Sequence, residues 1–349
     1  MAGYVIRRLG WAVGLFLIVT LYTYVLFFLI PSSPVQLGRG QSEAESIDVR
    51  DALQVEGNIV QEYGTFLWRV VHFDLGESFS SRRDVSEILW QAAPVTASLV
   101  FGAVVVWLLI AFPIGILSAL RARSLLDRTA MVCVLIGVSA HPLWIGYLLS
   151  YYLGFKLGWL PINGYCDIFS ATTYCGGPVQ WAYHLVLPWT AFALAFAAMY
   201  ARMIRASVLE TLHEDYVRTA RAKGLGDWPL LKTHVLRNAM LPIVTMIGMD
   251  VSALAFAPTV FVERVFGLPG IGNLLFISLQ RHDLPVIVGI VVVVTSAILF
   301  FNLLVDLLYG VLDPRIRPTG RVRLPTLAPA HGGEHGRAPA PTTPSSGGA

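Results

Sequence analysis

The apolar residues of this chain gather into six long runs, approximately 9 to 30, 94 to 120, 129 to 155, 181 to 204, 239 to 262 and 284 to 312. A hydrocarbon core about 30 Å thick is crossed by about 20 apolar residues in a helix, so each run predicts a membrane span. After the fourth run the pattern turns polar and basic: Tyr216 to Pro242 reads YVRTARAKGLGDWPLLKTHVLRNAMLP. This segment predicts two short helices broken at a turn. Leu212, Tyr216 and Ala220 share a face at four-residue spacing, Gly224 and Gly226 supply the turn, and Asp227 caps the second helix with Pro229 in its first turn. Between the first two runs, Val60, Tyr63, Phe66, Leu67, Val70 and Val71 recur at helical spacing, which predicts an amphipathic helix over 59 to 73 at the outer interface, where it either covers the bundle or contacts substrate directly.

Composition changes little in this picture. Hydrophobic residues make up 55% of the chain and charged residues 13%, and the mean hydropathy is +0.64. A soluble globular domain is less hydrophobic and carries about 25% charged residues. Arg7 and Arg8 before an apolar stretch resemble a secretory signal, but Gly10 to Ile30 is uncharged, longer than a signal core and followed by no clear small-residue cleavage site, so it is read as a span. The tail 318–349, rich in Pro, Gly, Ala, Ser and Thr, has no apolar periodicity and is expected to be disordered.

Charge sets the expected orientation. With the N-terminus inside, 17 of the 25 Lys and Arg fall on the inner side, including Arg121, Arg123, Arg128 and the basic residues of 202–237. The outer loop 31–93 carries five arginines against ten acidic residues and offers little resistance to export. Both termini are therefore expected in the cytoplasm. The net charge of +3 adds little, because the basic residues concentrate where anionic lipid attracts them.

No nucleotide-binding G-x-x-x-x-G-K-[ST], H-E-x-x-H, C-x-x-C or G-x-S-x-G occurs, so the chain does not read as an enzyme. Its intramembrane polar groups are His141 beside Pro142, His184, Asp250, Asn302 and Asp306. A charge at mid-span is costly, so Asp250 is expected to face the bundle interior or a water-filled path, as a gate residue or as a hydrogen-bonding partner of another subunit. Asp306 is expected to reach headgroups or Arg315, and His141 to mark a kink. His141, Asp250 and Asn302 are the candidate residues of a translocation path. Cys166 and Cys175 share a predicted outer loop, where they form either a disulfide or two free thiols; Cys133 lies inside the third run.

Arg218, Thr219, Ala220 and Gly224 resemble the E-A-A-x-x-x-G core of permease subunits of ABC importers, with Arg218 and Thr219 departing from the strict consensus. Asp215 to Leu225, DYVRTARAKGL, is similar to the dipeptide, oligopeptide and nickel permease branch, as are Val235, Leu236, Arg237, Asn238, Ala239 and Pro242. Further segments resemble the same branch in order: YVIRRLG at 4–10, DLGESF at 74–79, GWLPINGY at 158–165, FGLPGIGNLL at 266–275 and DLLYGVLDPRIR at 306–317. The chain is most similar to the first, long-loop permease of a dipeptide importer.

The resemblance implies an all-α polytopic membrane protein with six transmembrane helices, like a type I ABC importer permease. It divides the chain into 1–30 with the first span, an extracytoplasmic loop 31–93, a five-helix core 94–317 with a coupling loop 209–238, and the tail 318–349. It further implies ATPase coupling by Tyr216, Arg218, Thr219, Ala220, Arg221, Ala222, Lys223, Gly224 and Asp227. The implied partners are a second homologous permease, two cytoplasmic ATPase subunits, an extracytoplasmic substrate-binding protein and membrane lipid, with ATP and Mg held by the partners and no cofactor on this chain. A nucleic acid partner is not expected, because a segment held to the bilayer at both ends could not seat a recognition helix in a groove. Peptide is the implied substrate class, with nickel chelates and haem in the same family. A secondary transporter or channel acting without ATP is the contrasting reading, and it gives no reason for the basic loop.

Overall fold

The computed structural model describes residues 2–26, 59–168, 175–254 and 257–312, and these are helical apart from short connections and one isolated antiparallel bridge between Glu77 and Asp84. In chain order the helices are α1 (Ala2–Tyr24), α2 (Ile59–Val71), α3 (Val85–Leu120), α4 (Leu125–Ser139), α5 (Pro142–Leu149, continued by a π-helical stretch Ser150–Lys156) and α6 (Pro178–Leu212). Then follow α7 (Asp215–Ala222), α8 (Asp227–Leu230, continued by a π-helical stretch Leu231–Val235), α9 (Leu236–Leu254), α10 (Ala257–Val265), α11 (Ile271–Arg281) and α12 (Leu284–Leu312). Among the described residues four helices are long and apolar enough to cross a membrane, namely α1, α3, α6 and α12. A fifth crossing results if α4 and α5 with its extension, bent by 102°, form one span.

The bend falls where a kink was expected, at His141 within the run 129 to 155, and it divides that run into two helices. Pro142 disfavours helical backbone at the residue before it, and His141 accordingly adopts φ −69° and ψ 139° and accepts the Leu143 N–H on Nδ1 at 3.2 Å. The run 239 to 262 falls on α9 and α10, with residues 255 and 256 outside the described ones, as are 27–30 of the first run and the whole predicted tail. Two spans exceed their apolar runs. α3 and α6 have 36 and 35 residues, about 54 and 52 Å of helix, so both project beyond the hydrocarbon.

α3 and α6 form the centre of the bundle. Leu99, Ala103, Trp107 and Ala111 repeat every four residues along one face of α3, and all are fully buried. Such a row packs as a ridge, here against Ala193, Ala197, Tyr200, Ile204 and Val208 of α6. Small residues allow the approach: a Cβ on Gly115 would lie 2.7 Å from Ile204 Cβ and 2.8 Å from the Ala201 carbonyl oxygen. Trp107 fills the gap beside Phe196 and Tyr200, with ring centroids 5.1 and 5.5 Å away.

α12 closes the bundle against α1, α3 and α9. Val286, Ile290 and Val294 pack on Val85, Leu89 and Ala92, and Arg8 of α1 pairs with Asp306 at 3.1 Å. Asp306 therefore meets the first helix, while its expected alternative Arg315 lies outside the described residues. α2 is seated on α1, where the Tyr24 hydroxyl donates to Glu62 at 2.8 Å and the Thr20 and Tyr63 hydroxyls lie 3.0 Å apart.

Candidate functional site

α6 stops at Leu212 because Glu214 turns extended, with φ −67° and ψ 144°, before α7 begins. This break puts Leu212 and Tyr216 on separate helices, so the single face expected for Leu212, Tyr216 and Ala220 does not exist. α7 buries Val217 and Ala220 against the bundle. Ala220 thus faces inward, unlike the other residues expected to couple. The exposed face carries Tyr216, Arg218, Thr219, Arg221, Ala222 and Lys223. Gly224 ends α7 with φ +84°, a left-handed conformation that favours glycine, and nothing lies within 4 Å of where its Cβ would be. The helix beyond is capped by Gly226 and not, as expected, by Asp227, which occupies its first turn. Asp227 instead reaches Arg221 at 3.8 Å across the turn.

The second half of the loop is not a separate short helix. α8 passes through its π-helical stretch directly into α9, and Leu230, Leu231 and Val235 are buried beneath it. Two bonds close the loop at its base: Ser207 donates to the Ala239 carbonyl at 2.8 Å, and Asn238 Nδ2 donates to the Tyr216 hydroxyl at 2.7 Å. The outcome is a seated hairpin whose exposed crest runs from Arg221 to Pro229 and includes Trp228, 71% exposed.

The three path candidates are held separately. Asp250 on α9 accepts a hydrogen bond from the buried Tyr200 hydroxyl at 2.6 Å, a partner within this chain. His141 caps α5 and meets the Phe261 ring edge-on at 5.3 Å, and Asn302 is exposed on α12. Among the described residues no hydrogen bond joins any two of them. Cys166 and Cys175 are disulfide-bonded with Cα atoms 5.3 Å apart, and Cys166 Sγ lies 3.4 Å from His184 Nδ1. Cys133 is exposed on α4.

Three buried carboxylates escaped sequence reasoning. Glu263, fully buried on α10, accepts the Thr96 hydroxyl at 2.7 Å and the Asn273 N–H at 2.8 Å, while Thr96 Oγ1 accepts the Ile271 N–H at 2.8 Å. A carboxylate thereby caps the positive end of α11, and only glycine fits at 270, where a Cβ would lie 2.3 Å from Glu263 Oε1. Asp127 on α4 pairs with Arg205 on α6. The Ser-x-x-Asp spacing at 124–127 is a helix-start signature that marks Asp127, but its distant partner leaves no local trace.

Asp283, just before α12, is the third. It accepts from the Ser78 and Ser80 hydroxyls at 2.6 and 2.7 Å and from the Phe79 and Ser80 N–H groups at 3.1 Å each. Burial pushes its pKa up, but these four donors outweigh burial and hold it below the usual carboxylate value. A depressed folded pKa gives stability that is full above the unfolded value of about 3.9 and is lost as pH falls through the folded one. Thermal midpoints in detergent should therefore fall on acidification below about pH 4 more steeply for the wild type than for the Ser78→Ala, Ser80→Ala variant. Parallel slopes would remove this role from Asp283.

A family model for the inner membrane component of binding-protein-dependent transport systems matches residues 111–318, and its companion for the N-terminal part matches residues 1–100. The chain belongs to this family. Among its relatives, the dipeptide transport system permease protein DppB of Escherichia coli strain K12 is 35% identical over 337 residues, covering 91% of this chain and 99% of the relative. DppB of Bacillus subtilis strain 168 is 33% identical over 318 residues, covering 91% and 98%. The family and the apolar helices make this a multi-pass membrane transport component.

Proposed function

We propose that this chain is the permease subunit of an ATP-driven importer of di- or oligopeptides, with six spans and both termini in the cytoplasm. The seated hairpin 212–238 is the observation that carries the reading: its base is bonded to α6 and α9, while its crest exposes basic and aromatic groups to a partner. Arg218, Arg221 and Lys223 offer cations to acidic groups of an ATPase cleft, and the open space at Gly224 admits its backbone. ATP and Mg act on two partner ATPases, and this chain carries no ATPase site of its own. A second permease completes the path, an extracytoplasmic binding protein delivers substrate, and nucleotide-driven closure of the ATPases swaps the exposure of the central cavity. The peptide class rests on the relatives named as dipeptide permeases.

The test is purification of the tagged chain in mild detergent, followed by an ATPase assay with and without di- to pentapeptides and the binding protein. Co-elution of a second permease and an ATPase, with peptide-stimulated turnover, is expected. A chain that elutes alone and moves solute in liposomes without ATP would replace this reading with a secondary transporter.

A further inference from the structure

One carboxylate joins three helices at the end of the bundle that carries the coupling hairpin. Asp127, in the first turn of α4, is 4% exposed. Its Oδ1 accepts the Ser118 hydroxyl of α3 and Arg205 Nε of α6, the latter at 2.6 Å. Its Oδ2 accepts Arg205 Nη2 and the Arg123 N–H, each at 2.8 Å. Its own N–H donates to Ser124 Oγ at 3.2 Å. Every donor comes from the α3–α4 corner or from α6, and Arg205 precedes the end of α6 by about two turns.

We propose that the Asp127–Arg205 pair is the clasp that passes displacement of the coupling hairpin from α6 to α3 and α4, which makes both residues positioning residues for transport. The proposal rests on the reading of residues 212–238 as the ATPase-docking hairpin. Force applied to the crest enters α6, the helix that leads into it, and α9, to which the hairpin base is bonded. Elsewhere α3 and α4 meet α6 largely through small and apolar side chains, such as Gly115 on Ile204 and Gly137 on Ala198. Apolar contact is non-directional and tolerates sliding, whereas a bidentate guanidinium–carboxylate pair fixes both distance and angle. Ser118 and the Arg123 N–H supply the remaining donors, so the carboxylate is held from the α3–α4 corner as firmly as from α6. Stability alone gives little reason for such a pair, because apolar residues of similar size often replace a buried ion pair without loss.

The experiment uses the complete transporter in liposomes, with binding protein and a dipeptide, and reads peptide transported per ATP hydrolysed. The Asp127→Leu, Arg205→Met double variant removes both charges and leaves none buried alone, and Arg205→Lys keeps the charge but loses the fork. Both are expected to assemble and to hydrolyse ATP within about twofold of wild type, while transport per ATP falls about tenfold in the double variant and about threefold in Arg205→Lys. An assembled double variant with unchanged transport per ATP would overturn the clasp. So would failure of both variants to assemble, since the pair would then hold the fold and relay nothing. A wild type without ATP-dependent transport would instead sink the importer reading itself.

Discussion

Gly224→Trp is expected to leave the transporter assembled while transport per ATP falls by about tenfold or more. The physical case is that Gly224 serves two purposes which substitution can separate. Its φ of +84° disfavours side chains, at about 1–2 kcal/mol for a residue forced into the left-handed region. A Cβ at 224 meets no atom of this chain within 4 Å. An indole there starts from open space on the exposed crest, where a docking partner would meet it. Gly224→Asn is the control, since Asn tolerates the left-handed conformation and is small. It should retain most of the activity. If Gly224→Trp transported peptide at the wild-type rate, the crest would not be the coupling surface.

The second large effect lies in the bundle centre. Gly115→Leu should abolish accumulation of folded protein, and Gly115→Ala should cost about 1–3 kcal/mol by overpacking. The reason is the nature of the neighbour: a new Cβ would meet the Ala201 carbonyl oxygen at 2.8 Å, and backbone cannot rotate away as a side chain can. Gly14→Ala in α1 is the matched comparison, with nothing within 4 Å of its added methyl. Alanine there should be neutral or favourable by about 0.5–1 kcal/mol. Yield of folded protein checks Gly115→Leu and thermal midpoints in detergent rank the two alanine variants; wild-type yield and midpoint for Gly115→Leu would show that α3 and α6 do not approach at this position.

The turn between α7 and α8 was legible in the sequence because its signals are local. Glycines at 224 and 226 mark a turn, and the change from apolar to basic residues marks the edge of the membrane. Its details were not. Burial of Ala220 depends on how α7 rolls against the bundle, and Gly226 rather than Asp227 caps α8 because the chain enters that helix extended. The bend at His141–Pro142 was readable as a proline effect, but its size of 102° depends on packing.

What the sequence determined by itself is what repeats along the chain or stands within a few residues: long apolar runs, the helical character they demand in lipid, the turn glycines and the membership of a transport family. What only the tertiary structure decided is which donors the buried carboxylates find. Asp127 meets Arg205 across 78 residues, Glu263 meets Thr96 across 167, and Asp283 meets Ser78 across 205. A buried carboxylate requires donors within hydrogen-bond reach, but any of many hydroxyls and N–H groups could supply them. Periodicity carries no record of the choice; it is made when the helices settle at the distances their small residues allow.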